Sequence, residues 1–128
     1  MPEQQLFEYA VIRVVPRVER EEFMNIGVIL FCKKMGLLQT LVTIPDARLQ
    51  QAFPELDLPL VHAYTGALQR IAAGDRQCGS PIALLDAASR FRWLTATRST
   101  IIQTSKVHPG LCTDPAQKLV QIHREMVL

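Results

Sequence analysis

The chain has 128 residues, of which 48% are hydrophobic and 20% are charged. This length is that of one ordinary domain, and these proportions are typical of a folded globular protein, which excludes a disordered segment. The formal net charge is only +2, and the basic residues are dispersed, which argues against a nucleic-acid-binding protein. We therefore expect a single domain over residues 1–128.

The first residues and the cysteines indicate the cellular compartment of the protein. The residues after Met1 lack the basic stretch of a signal peptide, and no apolar run approaches the ~20 residues of a membrane-spanning helix. The cysteines, Cys32, Cys78 and Cys112, are odd in number and widely spaced, which is typical of a reducing compartment. No two of them have C-x-x-C spacing. We expect a cytoplasmic protein with no membrane association, no metal and no cofactor.

Three strands are predicted near the N-terminus. Residues 6–15 and 25–33 are rich in β-branched and aromatic side chains on both faces, so both are predicted to be buried strands. Residues 37–44 form a third strand, and Gln39 and Thr43 indicate that one of its faces is wetter. The short KKMG turn predicts that the second and third strands form an antiparallel hairpin. Gly27 predicts a bulge or a close approach of another chain.

Helices dominate the middle of the chain. Asp46 is predicted to cap a short helix that ends at Phe53. Residues 59–73 have the spacing of an amphipathic helix. Its inward face is predicted to comprise Leu60, Val61, Tyr64, Leu68 and Ile71. Ser80 and Pro81 are the predicted cap and first residue of a third helix, which runs to residue 92. The side chains that this helix is predicted to bury are Leu84, Leu85, Ala88 and Phe91.

The C-terminal part adds one strand and one helix. Residues 100–104 form a short fourth strand, and Asp114 with Pro115 begins the last helix. The inward residues of that helix are predicted to be Ala116, Leu119, Val120, His123 and Met126 or Val127. This order of elements indicates the α+β class. We expect a mostly antiparallel sheet of about four strands with helices packed on it, the last strand pairing back onto the N-terminal strands.

The segment FRWLTATRSTIIQTSKVH is the first candidate for a site. Arg98 stands beside Ser99 and Thr100, a combination that can hold a phosphate or a carboxylate. The alternative, which we favour, is that the hydroxyls satisfy loop backbone groups and Arg98 pairs with an acidic residue. Trp93 is interpreted as a core or seam residue and not as a stacking platform.

The segment REEFMNIG is the second candidate. Glu21 and Glu22 precede a buried strand, and paired carboxylates can do acid–base or metal chemistry. However, no second acidic cluster has metal-ligand spacing, and adjacent side chains on a strand point to opposite faces. A solvated charge pair is the better interpretation, with Asn25 bonding backbone at the start of the strand. The sequence also has no nucleophile motif, P-loop or dinucleotide fingerprint, so we predict no catalytic residue.

Two stretches together resemble a known family. The residues YAVIRVVP…REEFMNIGVILFC and FRWLTATRSTIIQTSKVHPGLCTDP are similar to a bacterial family catalogued only as a domain of unknown function, number 3037. The family pattern has an Arg-x-Glu-Phe-x-Asn-x-Gly turn, matched here from Arg20 to Gly27. It also has a Trp-Leu-Thr-Ala-x-Arg-Ser-Thr segment, matched from Trp93 to Thr100. The chain departs from the pattern at Thr97 and Lys106, where proline is expected.

The resemblance implies a role as a regulatory or accessory subunit. Members of the family are often encoded beside a kinase-like protein related to toxins of toxin–antitoxin systems. By analogy with this gene neighbourhood, the resemblance implies an antitoxin-like protein that docks on a kinase-like partner. The candidate partner- or anion-binding residues are Arg20, Glu22, Asn25, Trp93, Arg98, Ser99 and Thr100. The alternative function is an enzyme or ligand-binding domain for a phosphorylated or nucleotide-like molecule.

The two family turns are expected to meet in space. Either an Arg98–Glu22 ion pair ties the last strand to the hairpin, which we favour, or the turns form one docking surface. Self-association through an open sheet edge is also compatible with the sequence.

Overall fold

The computed structural model of the chain describes residues 3–98 and 100–128, and it confirms the α+β class. The strands are β1 (Gln5–Val14), β2 (Met24–Cys32), β3 (Leu37–Val42), β4 (Ile102–Thr104) and β5 (His108–Cys112). The helices are α1 (Asp46–Ala52), α2 (Leu58–Ala72), α3 (Ala87–Leu94) and α4 (Pro115–Met126), and short 3-10 turns lie at Val18–Arg20 and Pro81–Leu84. Within the described ranges, no helix is long and apolar enough to cross a membrane.

The sheet is antiparallel with the order β3-β2-β1, and both β4 and β5 lie along the remaining edge of β1. β4 pairs with the C-terminal part of β1, and β5 pairs with its N-terminal part. Ser105 joins the two, since its Oγ accepts from the Val11 N–H and its own N–H donates to the Val11 carbonyl, both at 2.8 Å. The predicted hairpin and the pairing of the fourth strand with the N-terminal strands are confirmed.

The fifth strand was not predicted, because Pro109 and Gly110 are poor strand residues. Gly110 is required by packing across the sheet: a Cβ there would lie 2.6 Å from Cζ of Phe7 on β1. Pro109 is tolerated because β5 lies at the edge of the sheet, where a missing N–H need not break a ladder.

The sheet is covered on both faces, so β1 and β2 are buried as predicted. One core lies between the sheet and helices α2 and α3, and its members include Ala10, Ile12, Ile29, Val61, Phe91 and Leu94. The other lies under α4 and includes Phe7, Val28, Leu30, Leu119 and Ile122. The two edges of the sheet are β3 on one side and β4 with β5 on the other.

Gly27 has the role predicted for it. The β1–β2 register shifts at Ile12 and Arg13, so that Gly27 faces Ile12 while Asn25 faces Arg13. The extra residue on β2 is a β-bulge. A Cβ on Gly27 would lie 2.9 Å from both the Leu41 carbonyl oxygen and Cγ2 of Val42 on β3. The bulge therefore brings two backbones too close for any side chain.

Two predicted helix starts are wrong. Asp46 does not cap α1: the N-cap position is Pro45, and the Asp46 carboxylate lies 2.8 Å from Nε2 of His62. The predicted helix from Pro81 to residue 92 is divided in two. Ser80 caps only the 3-10 turn, and Asp86 caps α3 by accepting from the Ser89 N–H at 2.7 Å. By contrast, Asp114 caps α4 as predicted.

The inward faces were predicted only in part. In α2 the structure buries Val61, Leu68 and Ile71 but exposes Leu60 and Tyr64, and Thr65 is buried in their place. Leu84 and Leu85 are exposed because the helix expected there is broken. In α4, Leu119 and His123 are buried, whereas Ala116 and Val120 are exposed. Periodicity finds an apolar stripe, but only packing decides how far the helix rotates about its axis.

Candidate functional site

An apolar groove of about 350 Å³ lies between α2, α3 and the start of β4. Residues of α2, of α3 with the connection that follows it, and of β4 form its walls. We call it the Trp–Arg groove and define it by Tyr64, Leu68, Ile71, Trp93, Arg98 and Ile102. Trp93 and Tyr64 are 41% and 47% exposed, so large aromatic surface stands at its margin. Trp93 was interpreted as a core or seam residue, and its exposure contradicts the core role.

Arg98 is held against Trp93. Its Cζ lies 4.1 Å from the centroid of the indole ring, and its Nη2 donates to the Trp93 carbonyl oxygen. That carbonyl belongs to the last turn of α3 and also accepts from the Ala96 N–H at 3.4 Å. The C-terminal end of a helix attracts cations. Burial lowers the pKa of the Arg98 guanidinium from its ordinary value, although an arginine remains charged. The side chain therefore forms part of the groove wall.

Thr100 is occupied by its own turn. Its hydroxyl donates to the Ile102 carbonyl at 2.7 Å, and its carbonyl accepts from Nε2 of Gln103 at 2.8 Å. These are the local backbone bonds that we favoured for the loop hydroxyls. Ser99 lies outside the described residues.

Arg20 and Glu22 lie in a second cavity, of about 610 Å³, between the β1–β2 connection and the α1–α2 loop. The two side chains form an ion pair with each other, and both are exposed. We call this the charged cavity, and its other residues include Arg17, Phe53, Glu55, Asp57 and Ile101. Glu21, between the pair, has a left-handed backbone with φ of 56°, which an L-residue rarely adopts. Glu21 and Glu22 are both exposed, which agrees with their interpretation as a solvated charge pair.

Asn25 belongs to neither cavity. Its Nδ2 donates to the Met126 carbonyl at 3.0 Å, so it ties β2 to the C-terminal end of α4. Its Oδ1 is buried without a hydrogen-bond partner. Arg13, its cross-strand partner, places its Cζ 3.9 Å from the ring centroid of Phe23. Burial lowers the pKa of the Arg13 guanidinium.

The predicted candidates are thus divided among three places. Trp93, Arg98 and Thr100 line the groove, Arg20 and Glu22 line the charged cavity, and Asn25 contacts α4. The predicted Arg98–Glu22 ion pair is wrong, because Glu22 pairs with Arg20 and Arg98 packs on Trp93. The two cavities are nevertheless neighbours, because Ile101 lines the charged cavity and the next residue, Ile102, lines the Trp–Arg groove.

Groove residues that sequence reasoning did not name as site candidates include Tyr64, Gln103 and Thr104. Tyr64 was assigned to the buried face of α2, and its position at the border of the apolar stripe is the only signal that could have placed it at a margin. Gln103 and Thr104 reach the groove because β4 pairs with β1, which is a long-range contact.

The chemistry available to the groove is that of a contact surface. Its walls are largely apolar, with aromatic rings and one guanidinium at the margin, so it can receive an apolar side chain beside an acidic group. Among residues 3–98 and 100–128, no group of three or more His, Cys, Asp or Glu is placed to hold a metal. The three cysteines are free thiols. The pKa of the Cys112 thiol is raised, mainly because the thiol is buried.

A family model described as "Protein of unknown function (DUF3037)" matches residues 9–127. This range holds every element of the sheet and of the groove except the first residues of β1. No curated protein and no solved structure matches the chain.

Proposed function

This chain belongs to the DUF3037 family, whose function is unknown, and we propose that it is a non-catalytic accessory protein that docks on a protein partner through the Trp–Arg groove. The observation that carries the proposal is the exposure of Tyr64 and Trp93 around an apolar concavity whose margin holds Arg98. Trp, Tyr and Arg are the residue types that dominate the energetics of protein interfaces.

The rigidity of the groove supports the same proposal. Arg98 is fixed by the indole ring and by the last turn of α3, so a partner would not have to pay the entropy of ordering a free arginine. A carboxylate of the partner can still approach the outer side of the guanidinium, which has five donors. We expect an apolar anchor residue with an acidic neighbour on the partner.

The small-molecule alternative has less support. A phosphate site needs several convergent free donors, but Arg98 is the one guanidinium among the described residues that line the groove, and the Thr100 hydroxyl donates to its own backbone. Arg20 in the charged cavity is already neutralised by Glu22. A thermal-shift titration with nucleotides and inorganic phosphate at millimolar concentration tests this alternative, because a ligand that binds the folded state must raise its melting temperature.

The identity of the partner and the compartment are part of the proposal. The family resemblance favours a kinase-like partner and an antitoxin-like role, and three free cysteines favour the reducing cytoplasm. A partner of this kind would carry its own catalytic residues, so the accessory chain needs none.

The test is a comparison of tagged chains purified from the native host at low salt, with mass spectrometry of the co-purifying proteins. Trp93→Ala is the test variant. Val120→Ala is the matched control, because Val120 is also 41% exposed but lies on α4, across the sheet from the groove. We expect one kinase-like protein to co-purify in stoichiometric amount with the wild type and with the Val120→Ala control.

Calorimetry then measures the affinity of that protein for the wild-type chain and for each variant. We expect Trp93→Ala to weaken it at least about tenfold, the effect of losing an anchor worth more than about 1.4 kcal/mol. Equal affinity for Trp93→Ala and the wild type would contradict docking through the groove. Absence of any stoichiometric protein would contradict the accessory role.

A further inference from the structure

We propose that the β3 edge binds a second copy of this chain, so that two β3 strands pair antiparallel about a twofold axis at Thr40 and the two sheets become continuous. The inference is independent of the Trp–Arg groove, which lies at the opposite side of the sheet beside β4. The backbone groups of β3 and the contrast with the other edge of the sheet support it.

The backbone of β3 presents a regular row of open hydrogen-bonding groups. The Thr43 N–H donates to the Ile26 carbonyl at 2.8 Å, so residue 43 faces β2. Successive residues of a strand face opposite neighbours, and therefore Leu38, Thr40 and Val42 point their N–H and C=O groups outward. β3 pairs only with β2 in the sheet, and no other described backbone or side chain bonds these groups.

The edge lacks the usual protection against pairing. β3 reads LLQTLV, with no charge, no proline and no bulge over its length. Edge strands of monomeric proteins are normally blunted by such devices, because an open edge recruits another strand. An edge without such protection is normally covered by another part of a protein. The uncharged, regular β3 strand is suited to be covered by a second β-strand.

The other edge of the sheet is blunted. β4 is only three residues long, and the outward Ile102 carbonyl already accepts from the Thr100 hydroxyl. Ser105 turns toward β1 between the two short strands, and β5 contains Pro109, which has no N–H. The fold thus protects one edge by several means and leaves the other open.

The occupant that fits β3 is β3 itself. The outward residues 38, 40 and 42 are symmetric about Thr40, so a twofold axis there pairs Thr40 with its own copy and Leu38 with Val42 of the second copy. Each of these pairs can exchange two backbone hydrogen bonds. No like charges meet along the strand itself.

The interface is modest, so the expected dimer depends on concentration. One strand pair buries less than the roughly 1,200 Å² of a standard stable interface, which places it in the weak class. Sedimentation velocity of the wild-type chain from about 1 µM to about 1 mM, at low salt, is therefore the first measurement. A monomer over this whole range overturns the proposal.

Charge-swapped variants test the register. Thr40→Lys and Thr40→Asp each place like charges across the axis, so each alone is expected to be monomeric where the wild type is dimeric. Their equimolar mixture is expected to restore the dimer. Gln39→Asn is the control, because it adds no charge and residue 39 lies opposite residue 41 of the second copy, so the dimer should remain. A mixture that stays monomeric, or single variants that still dimerise, overturns pairing about Thr40.

A backbone variant provides a second readout. Thr40→Pro removes one outward N–H and no bond of the β2–β3 ladder, so it should keep the fold and raise the dissociation constant at least about tenfold. Circular dichroism verifies the fold of each variant. Trp93→Ala should dimerise as the wild type does, which separates a failure of this proposal from a failure of docking through the groove.

Discussion

The guanidinium of Arg98 lies over the indole ring of Trp93, 4.1 Å from its centroid, and bonds the carbonyl of the same residue. One side chain thereby completes the last turn of α3 and forms the wall of the groove. Structure and proposed function depend on the same contact, so variants must be tested for stability before binding is interpreted.

Arg98→Ala is expected to lower the free energy of unfolding by about 0.5–1 kcal/mol, the contribution of an exposed cation–π contact. The chain has one Trp, so its fluorescence reports the contact directly. Removing the guanidinium should increase quenching by acrylamide, and Arg98→Lys should restore part of the protection, since lysine keeps the charge but loses the planar stack. Unchanged quenching in Arg98→Ala would show that the stack is absent in solution.

Gly27→Ala is expected to destabilise the chain by about 1–3 kcal/mol, because the new Cβ would overlap the backbone of β3 at 2.9 Å. Gly66→Ala is the matched control: no atom lies within 4 Å of its Cβ position, and it is inside α2. That variant should gain about 0.5–1 kcal/mol from the better helix propensity of alanine. Urea denaturation measures both, and effects of the same sign would contradict the assignment of the bulge.

Thr43→Val tests the buried histidine of α4. Thr43 Oγ1 lies 3.0 Å from Nε2 of His123, which is 7% exposed. Valine has the shape of threonine without the hydroxyl, so it should cost about 1 kcal/mol by leaving the ring nitrogen without its partner. Thr43→Ser retains the hydroxyl and should cost less. Thermal unfolding compares the two, and a more stable valine variant would refute the bond.

Asp86 gives a prediction for pH. Its bond with the Ser89 N–H holds the pKa of the Asp86 carboxyl below its ordinary value of 3.8. A lowered folded-state pKa contributes stability that is present above 3.8 and is lost as the pH falls through the folded value. Asp86→Ser keeps a capping oxygen without this titration. Below about pH 4, the free energy of unfolding of the wild type should therefore fall more than that of Asp86→Ser. A constant difference from neutral to acid pH would contradict it.

The cysteines are expected to differ in reactivity. Cys32 and Cys112 are buried, and burial raises the pKa of the Cys112 thiol, so little reactive thiolate is available there. Cys78 is partly exposed. Folded protein should therefore react quickly with a thiol reagent at one cysteine, identified by peptide mass spectrometry, and all three should react in urea. Cys78→Ser should abolish the fast phase, and its persistence would contradict the assigned burial.

Part of the candidate site was visible in the sequence. Trp93, Arg98 and Thr100 attracted attention because they are polar or aromatic residues at the junction of a helix and a strand, and the structure places them in one groove. Tyr64 could not be grouped with them, since it lies in α2 and joins the groove only after α2 packs on the sheet. The two family turns, expected to meet, line neighbouring cavities without an ion pair between them.

The sequence by itself determined the α+β class, the first three strands and the start of α4, because alternation, prolines and capping residues act over a few neighbouring residues. Only the tertiary structure decided that β5 exists, since its Pro109 and Gly110 oppose a strand until Phe7 and β1 provide the partner. It also decided which edge of the sheet is blunted and which stays open. These features depend on backbone groups brought together from distant parts of the chain, and no local pattern encodes such pairing.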